Sequence, residues 1–263
     1  MSAERPLKLI GQTLLHFEQV VSTNDLAKQY ARDGAAEGLV IFADEQTGGR
    51  GRLGRTWIAP PQSSLLLSVI LRPIWLPLPD AFILTMMAGV AICRAVEEII
   101  PIQAGLKWPN DLWLPKDPSS IKPSCKAAGI LSELEIARHQ LAWVVIGIGI
   151  NVDWSPSGIV DGRDLSESAT SLSSASGQVV NRQELLSALL AELERGYLKL
   201  RQGLHEEVFQ EWRGRLAMLG QEVEIRTATD IIRGVAEDVD QTGALLVRDK
   251  DGVLHTILSG DVM

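Results

Sequence analysis

The sequence predicts an α+β protein: a mixed sheet with helices packed on it, followed by a small C-terminal β-barrel. Three observations predict it. Apolar strand-like runs and helical stretches share residues 1–218 without a regular βαβ rhythm, which disfavours a doubly wound sheet. After Trp212 the pattern changes to short, mostly alternating segments separated by Asp/Gly turns. The composition, 46% hydrophobic and 22% charged, is that of a globular chain. We therefore expect two units, a larger α+β domain over 1–218 and a barrel domain over 219–263.

The elements follow in order. His16–Val21 reads as a strand running into Ser22-Thr23-Asn24-Asp25, a natural N-cap for a helix over Leu26–Ala31. Leu39–Ala43 (LVIFA) is a compact apolar run that fits a buried strand. A Gly/Arg loop follows, then a strand over Ser64–Leu71 and a Pro-rich connection over Arg72–Pro79. Asp80–Ile100 has helical spacing and enough apolar residues for a central buried helix. Leu106–Trp108 and Leu112–Leu114 read as a hairpin about Pro109-Asn110-Asp111. Residues 115–125 are polar and Pro-rich, a mobile loop. Ala127–Leu134 and Leu141–Val152 are strand-like, and 155–181 is mostly loop. Gln183–Leu200 is an amphipathic helix with Leu185, Leu186, Leu189, Leu190, Leu193, Tyr197 and Leu200 on one face. The barrel strands are Glu222–Ile225, Ile231–Glu237, Ala244–Arg248 and Val253–Ile257.

Charge narrows the function. The net charge of −8 argues against a broad nucleic-acid-binding surface. Yet Arg50, Arg52 and Arg55 lie close together, a local basic site that suits a small anion. Two cysteines, Cys93 and Cys125, give neither a disulfide framework nor zinc spacing. The first ten residues lack a continuous apolar segment, so no signal peptide is expected. The longest apolar stretch, Ala81–Cys93, is too short to span a bilayer. A cytoplasmic enzyme with no membrane partner is the expectation.

Five clusters carry candidate chemistry. The loop Gly48–Trp57, GGRGRLGRTW, contains both G-x-G-x-x-G (Gly49, Gly51, Gly54) and a near match to a phosphate-binding P-loop. Both patterns need a helix at the loop, because its N-terminus holds the phosphate. Pro60 and Pro61 make that helix unfavourable. What survives is the residue chemistry: glycines that allow close backbone approach, arginine forks that match carboxylate and phosphate, and Trp57 to cover a base or close the site. The bland alternative is a surface turn with incidental arginines. Lys107-Trp108-Pro109-Asn110-Asp111 reads either as a plain hairpin turn or as a phosphate lysine with two residues organising nucleotide or metal. Lys126-Ala-Ala-Gly129 puts a lysine at a strand start, where most lysines are merely solvated. Gly147-Ile-Gly149-Ile-Asn151 implies close approach to something, or close sheet packing. Ser22-Thr23-Asn24 is either a helix cap or a set of groups for a neutral polar ligand.

Together, STN at 22–24, Gln46 with GRGRLGRTW, KWPND at 107–111, KAAGIL at 126–131 and GIGIN at 147–151 resemble the biotin–protein ligases. The resemblance covers nearly the whole chain. It extends to the terminal barrel through Gly243-Ala-Leu-Leu and Leu258-Ser-Gly260-Asp261, although Asp261 stands where a Glu is frequent in the family. Lipoate ligases share the general fold, but the GRGRxGRxW and KWPND pair points to biotin.

The resemblance implies a class II synthetase-like catalytic domain and an SH3-like barrel. It implies ATP, Mg²⁺ and biotin as ligands, and a biotin carboxyl carrier protein of acetyl-CoA carboxylase as partner. Biotin would be activated to biotinyl-5′-AMP and then passed to a carrier lysine. By position, Ser22, Thr23, Asn24, Gln46, Gly49, Arg50, Gly51, Arg52, Lys126 and Gly129 resemble biotin-side residues. Arg52, Arg55, Trp57, Lys107, Asn110, Asp111 and Asn151 resemble ATP-side residues, with Lys126 and Arg52 in catalytic roles. Many members carry an N-terminal DNA-binding domain. Only about 15 residues precede the first strand, too few for a helix-turn-helix, so repressor activity is not expected. The family's dimers form through a sheet edge, so the resemblance is compatible with a homodimer.

Overall fold

The computed structural model describes residues 8–227 and 229–262. A seven-stranded sheet runs in the order β1-β2-β3-β7-β6-β5-β4. Its strands are β1 (Leu14–Val20), β2 (Val40–Gln46), β3 (Ser64–Leu71), β4 (Gly105–Lys107), β5 (Asp111–Leu114), β6 (Cys125–Ala137) and β7 (Gln140–Asn151). The β1–β2 pair is parallel and every other pair antiparallel, so the sheet is mixed as expected.

Strand β3 shows how one sequence serves both faces. Leu65, Leu67, Val69 and Leu71 point to the main core beneath α2 (Ile83–Ile99), α4 (Arg182–Arg201) and α5 (His205–Gly214). The alternate residues face the other side. There Ile70 joins Ile41 and Val145 in a smaller cluster under Ala27 and Ala31 of α1 (Thr23–Arg32). Further along that side Ser64 and Ser68 are both fully buried. Helix α1 covers only part of this face, and the uncovered part is the floor of the cavity described below.

Most elements fall where the sequence places them. Ser22 caps α1 by accepting from the Asp25 N–H, and the seven α4 residues named above are all buried. Three segments differ. Helix α5 is absent from the sequence reading. It is short, it lacks a side-chain cap, and only Val208, Phe209 and Trp212 are buried on it, so its amphipathic signal spans little more than two turns. Residues 155–181 contain a small hairpin, β8 (Ile159–Val160) with β9 (Arg163–Asp164), and a short helix α3 (Leu172–Ser176) capped by Ser171. The expected 115–125 loop ends at Ser124, because Cys125 already pairs with Leu114 in the sheet.

The C-terminal sheet runs β13-β12-β11-β10-β14, all antiparallel, from β10 (Glu222–Arg226), β11 (Ile231–Val239), β12 (Leu245–Arg248), β13 (Leu254–Ile257) and β14 (Asp261–Val262). Its inward residues Val223, Ile225, Ala236, Leu245 and Val247 join the main core. The Asp240–Gly243 turn is wedged behind the KWPND hairpin: buried Trp108 donates its indole N–H to the Gly243 carbonyl at 2.8 Å. Gly243 has φ +86°, and a Cβ there would lie 2.3 Å from the Phe82 ring, so both backbone and space require glycine. No helix among the described residues is long and apolar enough to cross a membrane. Both cysteines are free and buried, and burial pushes the Cys93 thiol up to about 12, which fits a core residue.

Candidate active site

A cavity of about 460 Å³ lies on the α1 side of the sheet. It is lined by every residue named from the five clusters as a ligand contact except Gly49. Six cations line it, Arg50, Arg52, Arg55, Lys107, Lys126 and Arg163, against four carboxylates, Asp111, Asp161, Asp164 and Asp261. In a chain of net charge −8 this is a local reversal of sign.

The Gly/Arg loop is a small hairpin. Gly49 O accepts from Trp57 N at 3.0 Å, Arg50 bridges Thr56, and Gly51 N donates to Arg55 O at 2.8 Å. A tight turn over Arg52–Gly54 closes it, with Leu53 at φ 57°. No helix follows, which removes the dinucleotide and P-loop readings as the prolines predict. The Gly51 N–H is spent inside the hairpin. Gly49 sits behind the cavity wall, where a Cβ would lie 2.5 Å from the Trp57 carbonyl. Its role is to let the two hairpin arms close.

The GIGIN glycines make room for side chains. A Cβ on Gly147 would lie 2.0 Å from Asn24 Oδ1, and one on Gly149 would lie 2.7 Å from the Trp57 indole. Trp57 therefore packs its indole against Gly149 of β7 and reaches Gly129 of β6. Its Nε1 is buried without a hydrogen-bond partner among the described residues, as are Ser64 Oγ and Asn151 Oδ1. Asn151 Nδ2 donates to Thr170 O at 3.0 Å.

A β-bulge aims Lys126. In a regular strand, residues 126 and 129 would face opposite sides. The β5–β6 register slips between Leu112 and Trp113, so Ala127 is an extra residue. The slip brings the Lys126 side chain to the same face as Gly129, with Nζ 2.7 Å from Asp111 Oδ1 and 5.8 Å from the Trp57 ring. The KWPND hairpin supplies the opposite wall, and its Trp108–Pro109 peptide is cis. Asn110 Nδ2 donates to Ile130 O at 2.7 Å, which leaves Oδ1 to accept from Arg52 at 3.1 Å.

Lys107 Nζ lies 4.7 Å from the Trp113 ring centroid. Burial, reinforced by Lys126, Arg55 and Arg163, pushes its ammonium down to about 8 against the opposing pull of Asp111. Burial likewise lowers Arg52 and Arg55 from their ordinary value, and both stay charged at neutral pH.

At the other end, uncharged groups dominate. Thr23 N donates to Gln46 Oε1 at 2.8 Å, and Thr23 Oγ1 lies 3.1 Å from the same oxygen. Asn24 Nδ2 donates to Leu131 O and Glu133 Oε2 at 3.1 and 2.9 Å. Arg50 leans on Asp25, while Lys28 joins Asp25 and Glu133 at 2.9 and 2.6 Å. The sequence reading missed Trp113, Asp161, Arg163, Glu133 and Ser68. Asp161 accepts from the Thr56 N–H at 2.7 Å and Arg163 lies 3.3 Å from Asp261, which also pairs with Arg55. These contacts join the β8–β9 hairpin and the terminal strand to the Gly/Arg loop. No local motif marks the β8–β9 hairpin; only the fold brings it to the loop.

The model of the biotin/lipoate A/B protein ligase family matches residues 16–151, and that of the biotin protein ligase C terminal domain matches 218–263. Bifunctional ligase/repressor BirA of Bacillus subtilis (strain 168) is 32% identical over 255 residues, covering 97% of this chain and 75% of that protein. Biotin--[acetyl-CoA-carboxylase] ligase of Mycobacterium tuberculosis is 32% identical over 268 residues, covering 100% and 90%. Among solved structures, the biotin protein ligase from Aquifex aeolicus in complex with biotin and ATP superposes with a TM-score of 0.77 at 27% identity, covering 96% of this chain and 98% of that one. With that family's model matched over residues 16–151 and relatives 32% identical over nearly the whole chain, the chain belongs to the biotin/lipoate A/B protein ligase family.

Proposed function

We propose that the chain is a biotin–protein ligase, which activates biotin with ATP to biotinyl-5′-AMP and transfers biotin to a lysine of a biotin carboxyl carrier protein. The observation that carries this reading is the division of one cavity into an uncharged hydrogen-bonding end at α1 and a cationic end at the KWPND hairpin. The relatives named biotin--[acetyl-CoA-carboxylase] ligase and the neighbour bound to biotin and ATP support it.

The roles follow from chemistry. Ser22, Thr23 and Gln46 present polar groups for the biotin ring, and Asn24 and Gly147 shape that end. A carboxylate is already ionised at pH 7, so the first step needs no general base. Its barrier is repulsion between two anions, which fixed positive charge and in-line positioning lower. Lys126 stands between the two ends, so it would hold the biotin carboxylate against the α-phosphate, with Arg50 and Arg52 beside it. Arg55, Lys107, Asn110, Asp111 and Asn151 would face the phosphates and ribose, and Trp57 would cover the adenylate and exclude water. Attack by the carboxylate oxygen breaks the Pα–O bond to the β-phosphate and releases pyrophosphate. Attack by a neutral carrier lysine breaks the acyl–phosphate bond and releases AMP.

Mg²⁺ would enter with ATP. Among the described residues no group of three or more His, Cys, Asp or Glu could hold a metal. An ion carried on phosphates needs only one or two protein oxygens, and Asn151 Oδ1 and Asp111 fit that need. We also read residues 1–218 and 219–263 as two units, and place the protein in the cytoplasm, where carrier proteins would be its partners.

Pyrophosphate release on adding biotin and MgATP tests the reading, with lipoate as the rival acid. Label from biotin must then pass to a carrier domain. Release with lipoate and none with biotin overturns it.

A further inference from the structure

We propose that Ser68, which none of the motifs contains, is a positioning residue that fixes Thr23 as a hydrogen-bond acceptor and so makes the α1 end of the cavity selective for a ligand N–H. The inference rests on the biotin reading above.

Ser68 is fully buried in the middle of β3. A buried hydroxyl in an otherwise apolar strand needs partners. Its Oγ lies 2.6 Å from Asn24 Oδ1 and 2.8 Å from Thr23 Oγ1. A serine hydroxyl has one hydrogen, so it donates to only one of them.

Asn24 decides which. Both hydrogens of its Nδ2 are committed, one to the Leu131 carbonyl and one to the Glu133 carboxylate, which Lys28 holds from the far side. Those two acceptors fix the amide orientation, because a flipped amide would set its oxygen against a carbonyl and a carboxylate. Asn24 Oδ1 can only accept, so the Ser68 hydrogen goes there. The short Ser68–Thr23 contact must then take its hydrogen from Thr23. The other inward acceptor for that hydrogen, Gln46 Oε1, is at 3.1 Å and already takes the Thr23 N–H. The shorter contact holds the Thr23 hydrogen on Ser68 and into the protein, so only lone pairs of Oγ1 are left for the cavity. The chain of hydrogen bonds runs one way, from Thr23 through Ser68 and Asn24 to the Glu133–Lys28 ion pair. A ligand N–H is bound by such a site; a ligand acceptor at the same place is repelled. Biotin's cyclic urea carries N–H groups that meet this requirement.

The test compares biotin with the two carbamate analogues that replace one ureido N–H by oxygen, using kcat/KM for pyrophosphate release by the full chain. Wild type should reject one analogue by on the order of 10²–10³-fold, because a lone pair then faces the Thr23 lone pairs. In Ser68→Ala that ratio should fall by about tenfold, since the shorter inward acceptor for the Thr23 hydrogen is gone. Thr23→Val should collapse the ratio, and adding Ser68→Ala to it should change nothing more. A packing role alone would raise KM for all three acids and leave the ratio as in wild type, which overturns the inference. If Ser68→Ala does not fold, Thr23→Val carries the same test, and an unchanged ratio there overturns it equally. Failure of wild type to release pyrophosphate with biotin overturns the functional reading and this inference with it.

Discussion

Lys126 Nζ, aimed into the cavity by the bulge at Ala127, lies 2.7 Å from Asp111 Oδ1. The pair holds the ammonium where a carboxylate and an α-phosphate would meet. Lys126→Ala should slow single-turnover adenylate formation by on the order of 10²–10³-fold, the size expected for one electrostatic stabiliser. Asp111→Asn should cost less, because it loosens the lysine without removing its charge. Near-normal adenylate synthesis by Lys126→Ala in a rapid-quench measurement would contradict the role.

Lys107 gives a pH signature. Its ammonium is pushed down to about 8, so it is charged below that pH and neutral above it. The positive charge facing ATP is therefore lost as pH rises through about 8. We expect kcat/KM for ATP in pyrophosphate release to fall on that limb, which reports the free enzyme. Lys107→Arg should shift the limb out of the accessible range, since arginine stays charged. A limb that stays in place in Lys107→Arg would assign the titration to another group.

Gly149→Ala tests the seat of Trp57. The added Cβ would lie 2.7 Å from the indole and displace it. The expected outcome is a rise in KM for ATP of about tenfold or more, since the covering ring loses its platform, with the biotin affinity measured by calorimetry little changed. Equal losses for both ligands would show that the sheet itself had distorted.

Arg52 holds Asn110 Oδ1 at 3.1 Å and ties the loop hairpin to the KWPND hairpin. Arg52→Ala should weaken biotin binding and let the adenylate escape before transfer. Biotinylation of bystander lysines in a mixed-protein assay, at the expense of the carrier, is the readout. Unchanged biotin affinity together with unchanged leakage would falsify this assignment.

Trp108→Phe probes the barrel's hold on the site. It removes the hydrogen bond to the Gly243 carbonyl and leaves that buried acceptor unpaired, a loss of about 1–3 kcal/mol. Chemical denaturation should show that loss in the midpoint. KM for ATP should rise as well, because the same turn backs Lys107 and Asn110. A stability loss with unchanged ATP kinetics would confine the barrel's role to folding.

What the sequence by itself determined here is local. A compact apolar run places β3 at Ser64–Leu71, helical spacing marks the buried face of α4, and Asp and Gly residues mark the barrel turns at Asp240–Gly243 and Asp249–Gly252, because all of these are properties of consecutive residues. Prolines 60 and 61 excluded a helix after the Gly/Arg loop for the same reason. The motif residues were legible because they cluster in sequence. Only the tertiary structure decided the rest. Lys126 reaches the cavity through a bulge that depends on its partner strand. Gly147 and Gly149 are empty for the sake of Asn24 and Trp57, which lie about a hundred residues away in the chain. Asp161 and Arg163, from a hairpin with no motif of its own, meet Thr56 of the loop and Asp261 of the terminal strand. Ser68 reads as a stray polar residue in an apolar run. Its meaning lies in two hydrogen-bonding groups, Asn24 Oδ1 and Thr23 Oγ1, that the fold brings within reach, and hydrogen-bond direction is a property of the whole network.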